Sequence, residues 1–113
     1  MARNSLLAAP PYPVETALKH LGESLRTARI RRSLTIQEVA QKIGTGVRAV
    51  SDAEKGKAST GIAIYASLLW VYSLLNDFEK VADPSLDTIG QALALSKEGE
   101  RVRHKNKDFS NDF

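Results

Sequence analysis

The chain has no cysteine, one methionine, one tryptophan, and only two histidines, His20 and His104. Without cysteine it can form neither disulfides nor thiolate metal sites, and two distant histidines make no ligand cluster, so no metal and no cofactor is expected. Long apolar runs are missing too. The most apolar stretch, residues 62–75, is interrupted by Ser67 and Ser73 and falls short of the roughly 20 residues that cross a bilayer, so no membrane association is expected. Near the start, Leu6, Leu7, Ala8 and Ala9 stand alone before Pro10 and Pro11, too short a run for a secretory signal. A reducing cytoplasm is the expected location.

At 113 residues and 42% hydrophobic content, the chain can bury one modest core. Its net charge of +3 is compatible with a polyanionic partner, but the distribution says more than the sum. Lys19, Arg26, Arg29, Arg31 and Arg32 face only Glu23 in residues 19–32, and Lys97, Arg101, Arg103, Lys105 and Lys107 crowd residues 97–107. Acid gathers at Asp77, Glu79, Asp83 and Asp87.

Residues 1–13 hold three prolines and no helical period and are expected to form an irregular arm. The domain is expected over residues 14–99. Leu18, Leu21, Leu25, Ala28 and Ile30 recur at helical spacing and predict a first helix over 14–32. Thr35 and Glu38 form a capping-box pattern that opens a second, with Val39, Ala40 and Ile43 facing inward and Gly44 ending it. Thr45 is placed to cap a third, residues 46–55, in which Val47, Val50 and Ala53 are spaced for burial and Gly56 is the stop. Ser59 or Thr60 is expected to cap a fourth, apolar almost all round. A short fifth helix begins at Asn76 and must end by Pro84, and residues 86–96 read as a sixth with Ile89, Leu93 and Leu95 inward. Residues 100–113 lack a core-forming period and read as a basic, then aromatic, tail. No strand pattern occurs, so the expected fold is all-α with five or six helices.

Two short helices joined by a tight turn are a device for laying the second one in the DNA major groove. Ala40 is small where the helices must cross, Gly44 falls in the turn, and Val50 anchors the second helix. Through Leu25, Arg29, Leu34-Thr35, Glu38-Val39-Ala40, Ile43-Gly44, Val50 and Glu54-Lys55-Gly56, the segment resembles the phage-repressor-like (Cro/XRE-type) helix-turn-helix family. The resemblance implies a sequence-specific repressor of double-stranded operator DNA, with Gly46, Val47, Arg48, Ser51 and Asp52 on the reading face and Thr45 beside them. Arg48 is the leading base contact, since its planar fork can hold guanine O6 and N7. The alternative for Arg48 is a phosphate contact or a solvated face. The family's glutamine is replaced by Ile36, a position that Gln37 serves only if the second helix is rotated. Asp52 repels phosphate unless it meets a cytosine amine or a cation. Arg29 and Glu54 match a structural ion pair of the family. Arg31, Arg32, Lys55 and Lys57 are the expected phosphate clamps, helped by amides at the starts of the second and fourth helices.

Beyond that segment, residues 68–75, Asp83-Pro84, Asp87, Ile89-Gly90 and Arg101-Val102-Arg103 resemble small antitoxins of the HipB type that accompany HipA-like kinases. The resemblance implies a homodimer that binds its own operator and holds a kinase toxin. Trp70 and Tyr72 are candidate dimer or partner contacts, with core filling as the alternative. Phe109 and Phe113 are candidate plugs for a partner groove, with disorder as the alternative. No glycine-rich phosphate loop, metal spacing or nucleophile–histidine pairing points to an enzyme, and His20 among leucines reads as a packing residue. A stand-alone repressor and an interaction-only module remain the competing functions.

Overall fold

Helix-favouring periodicity dominates the sequence, and the computed structural model, which describes the backbone of residues 9–111 and the side chains of 9–103, is all-α. Six helices lie among the described residues: α1 Tyr12–Arg31, α2 Ile36–Ile43, α3 Val47–Glu54, α4 Ile62–Val71, α5 Leu75–Glu79 and α6 Thr88–Asn111. The chain divides into two compact units, Met1–Phe78 and Glu79–Phe113.

In the first unit, α1 is entered through Pro11, and Pro13 sits in its first turn, where a missing N–H costs the helix nothing. The helix thus begins two residues before Val14, the expected start. Leu25 and Ala28 are its buried face, together with Gly22. They meet Val39 and Ala40 of α2, Val50 and Ala53 of α3, and Tyr65, Leu68 and Tyr72 of α4 and its end in one core. Leu21, Leu34, Ile36 and Ile43 pack around it, whereas Ile30, expected inside, is half exposed.

Two glycines set how closely α1 approaches α3. A Cβ on Gly22 would stand 2.6 Å from the Glu54 carbonyl and 2.7 Å from that of Ala53, and one on Gly56 would meet the backbone of Leu18. Gly56 also adopts φ +69°, a left-handed geometry that ends α3 and that side-chain-bearing residues rarely take.

Tyr72 is corrected from a candidate partner contact to a core residue: it is 1% exposed, while Trp70, two positions earlier, is 62% exposed. About 200° of helical rotation separates positions two apart, so the two rings leave the backbone on opposite sides. Two expected caps also shift. Gly46, not Thr45, stands at the cap position of α3, and the Thr45 N–H donates to the Ala40 carbonyl at 2.9 Å to close α2. Gly61, not Ser59 or Thr60, caps α4, because Thr60 belongs to the preceding turn, its N–H donating to the Lys57 carbonyl.

In the second unit, Asp83 opens a turn by accepting from the Ser85 N–H at 2.9 Å, and this bond holds its carboxyl below the usual range. The Gln91 amide donates to the Pro84 and Ser85 carbonyls, each at 3.0 Å. Asp87 caps α6 by accepting from the Gly90 N–H at 2.9 Å. That helix continues to Asn111, past the expected end at residue 96 and through most of the expected tail. Lysine, arginine and glutamate favour a helix without any partner, so a missing core period did not mark its end. Ile89, Leu93 and Leu95, expected inside, are 74%, 57% and 69% exposed.

Candidate nucleic-acid interface

The first turn of α2 is closed by its own residues. The Glu38 N–H donates to Thr35 Oγ1 and the Thr35 N–H to Glu38 Oε1, both at 3.0 Å, which satisfies two otherwise orphaned donors. Those hydrogen bonds, the backbone one foremost, hold the Glu38 carboxyl below the usual carboxylate range. A carboxylate now occupies this helix start, so α2 is less suited to phosphate than expected. The α4 start at Gly61 has no side-chain cap, and its leading amides remain available to an anion.

Gly44 ends α2 at φ +71°, and after Thr45 and Gly46 the chain enters α3. Val50 and Ala53 fasten α3 to the core. The other side of the helix presents Arg48, exposed, and Val47, half exposed, with Ser51 and Asp52 partly covered. Gly46 precedes them with no side-chain cap and open space where a Cβ would stand, so nothing from its own residue screens the start of α3. Gln37 is exposed on α2, while Ile36 packs against the core.

Charge is partly neutralised within this surface. Lys57 Nζ lies 3.3 Å from Asp52 Oδ1, which supplies the cation that Asp52 needs beside a polyanion. The loop carrying Lys57 is itself tied down, its carbonyl accepting from the Tyr65 hydroxyl at 2.8 Å. Arg31 and Lys55 are exposed. Arg32, expected as a phosphate clamp, is exposed and also acts as a strut: it donates to the Ala28 carbonyl at 2.8 Å and the Tyr72 carbonyl at 2.9 Å, with its guanidinium 5.4 Å from the centre of the Tyr72 ring. The last carbonyls of a helix lack intrahelical partners, and Arg32 reaches one at the end of α1 and one at the end of α4.

Arg29 and Glu54 are brought together at the end of α3. Arg29 Nε donates to Glu54 Oε2 at 2.7 Å and Nη2 to Oε1 at 3.1 Å, a two-pronged pair, while Nη1 donates to the Leu34 carbonyl at 2.9 Å. Both side chains are largely buried, at 12% and 6% exposed. The hydrogen bond to Glu54 raises the arginine pKa against the effect of burial. The pair therefore locks α1 to the end of α3 and to the turn before α2.

Three components of the site were not anticipated: the Gly22–Gly56 notch, the Tyr65 tie and the Arg32 strut. A signal existed for the first, since glycine inside a 20-residue helix is unfavourable by roughly 0.5–1 kcal/mol relative to alanine and its presence points to a close neighbour. The side chain of Phe109 and the whole of Phe113 lie outside the described residues.

Residues 25–68 match the helix-turn-helix family, and the matched stretch contains α2, the Gly44 turn, α3 and the Arg29–Glu54 lock. This segment is similar to a helix-turn-helix domain. The matched stretch is less than half of the chain. No curated protein and no solved structure matches the chain. Among the described residues, no cluster of three or more His, Asp or Glu side chains could hold a metal ion, and no helix is long and apolar enough to cross a membrane.

Proposed function

We propose that this protein is a sequence-specific repressor that reads operator DNA through α3 as a homodimer and serves as the antitoxin of a HipA-like kinase, autoregulating its operon. The observation that carries the DNA reading is Arg48, exposed beside the uncapped, open start of a helix whose opposite side is anchored in the core. Gly46, Val47, Ser51 and Thr45 border it, Gln37 extends the surface from α2, and Arg31, Lys55 and Lys57 hold phosphates. Pairing with Lys57 supports a place for Asp52 at the edge of such a surface.

The antitoxin role is supported by the resemblance of residues 68–75 and 83–103 to HipB-type proteins, and by Trp70, whose exposed ring borders a shallow hollow with Lys42 and Val71. A large ring with an apolar body suits the anchor of a protein interface.

Titration of randomised duplexes with the full chain tests the DNA reading. Selection of a two-fold symmetric motif is expected, with log affinity falling against log salt at about −0.9 per phosphate contacted. Arg48→Ala is expected to lose roughly 1–3 kcal/mol of discrimination at a guanine. A flat salt response would overturn DNA binding. A nuclease-treated pull-down from native cells tests the second role: a stoichiometric HipA-like kinase is expected, whereas recovery of the protein alone would leave a stand-alone repressor.

A further inference from the structure

Three cations stand near Asp52 along the chain. Arg48 lies four positions before it, Lys55 three after it and Lys57 five after it, and on a helix the first two spacings put side chains next to one another. Asp52 nevertheless takes the third. Its Oδ1 is 3.3 Å from Lys57 Nζ, whereas neither Arg48 nor Lys55 enters an ion pair among the described residues.

Backbone geometry explains the choice. Past Lys55 the chain leaves α3 through Gly56 at φ +69° and turns back, so that the Lys57 N–H donates to the Asp52 carbonyl at 3.1 Å. The Lys57 carbonyl accepts from the Thr60 N–H at 3.1 Å and from the hydroxyl of the buried Tyr65 at 2.8 Å. Lys57 is therefore anchored to α3, to its own turn and to α4, and its side chain starts from a fixed point beside Asp52. That aspartate lies in the last turn of α3, where unpaired carbonyls carry partial negative charge, so a cation arriving from beyond the helix end offsets both.

The consequence falls on Arg48. An arginine fork met end-on by a carboxylate has no end left for the O6 and N7 of guanine. Of the two acids of α3, Glu54 is committed to Arg29, and Asp52 is the one on the same side of the helix as Arg48. We infer that Lys57 is a positioning residue for base reading: by holding Asp52 it keeps that carboxylate off Arg48 and leaves the arginine fork open. An ammonium has three donors, so Lys57 serves Asp52 and a phosphate together. The inference rests on the reading of α3 as the DNA-reading helix and assigns the residue that keeps its leading contact free.

Full-length variants separate this role from plain phosphate contact. Lys57→Gln is expected to weaken binding to every duplex and also to narrow the preference for guanine at the Arg48 position by about twofold, the worth of an exposed pair at this helical spacing. Adding Asp52→Asn is expected to restore the preference, and Lys57→Arg to keep it. Lys55→Gln is expected to lower affinity for all duplexes alike, with the salt slope reduced by about 0.9 and the preference intact. In the free protein, exchange of the Arg48 side-chain N–H protons with water, read by NMR, is expected to slow in Lys57→Gln and to recover when Asp52→Asn is added. A preference that stays the same or widens in Lys57→Gln, the latter as when Asp52 props the fork from its side, would overturn the inference. So would a loss that Asp52→Asn does not restore, or an exchange rate that does not slow. A natural chain without DNA affinity would break the reading of α3 alone, since the exchange measurement decides the pairing without DNA.

Discussion

In the first unit, Leu25, Leu68, Val39 and Val50 are completely buried, and even the charged pair Arg29–Glu54 is largely withdrawn from water. In the second, Leu86, Ile89, Leu93 and Leu95 are all more than half exposed. Both regions are helical, but the second is poorer in aliphatic residues and richer in charge. The difference lies also in neighbours. Helices α1 to α4 return on one another and give each apolar stripe an opposite face, whereas α6 buries no side chain among the described residues and draws on helix propensity and capping by Asp87.

That contrast can be broken most severely at Glu54. Glu54→Ala leaves Arg29 buried without its partner, a loss of about 3–5 kcal/mol, and thermal unfolding is expected to show the domain largely unfolded near physiological temperature. A normal melt would mean that the Leu34 carbonyl alone satisfies Arg29. Tyr72 sharpens the same point in the other direction. Its hydroxyl is buried with no hydrogen-bond partner, and burial, then the Glu54 charge, push the phenol pKa up. Tyr72→Phe removes an unsatisfied polar atom, so chemical denaturation should show stability unchanged or raised by about 1 kcal/mol.

An effect smaller than that at Glu54 is expected at the capping box. Thr35→Ala should cost the first unit about 1 kcal/mol. Because Glu38 has its carboxyl pKa lowered in the folded state, its contribution is complete above the ordinary glutamate value of about 4.3 and is lost as pH falls through the lower folded value. The loss of stability on acidification should therefore be shallower in Thr35→Ala than in the natural protein, as measured by denaturant melts across that range. The smallest effect belongs to Trp70. Trp70→Ala should change the melt by less than about 0.5 kcal/mol, since an exposed side chain contributes little to folding, yet it should weaken capture of the partner. A large destabilisation would place the ring in the fold and remove it from the interface.

Local chemistry made much of the reading unit legible. Thr35 and Glu38 stand three apart ahead of an apolar run, which is the spacing their reciprocal hydrogen bonds require, and Gly44 stands where a left-handed residue must end α2. Arg48 could be placed on the outer side of α3 because Val50 and Ala53 define the inner one. Legibility failed where the pattern lost its polarity. On α4 every side is apolar, so nothing in the order of residues says whether Trp70 or Tyr72 faces in. On α6 the apolar spacing is genuine, but spacing marks a face and not what covers it.

The positions of α2 and α3, the tight turn between them and the charge asymmetry of the ends follow from the order of residues, because capping, periodicity and turn geometry act over three or four positions of chain. Folding alone decided that Tyr72 is core and Trp70 surface, that Arg32 holds the Ala28 and Tyr72 carbonyls, and that Gly22 and Gly56 admit α1 against α3. Each of these depends on atoms brought close from distant parts of the chain, Arg32 and Tyr72 being 40 positions apart, and packing at that range has no local signature.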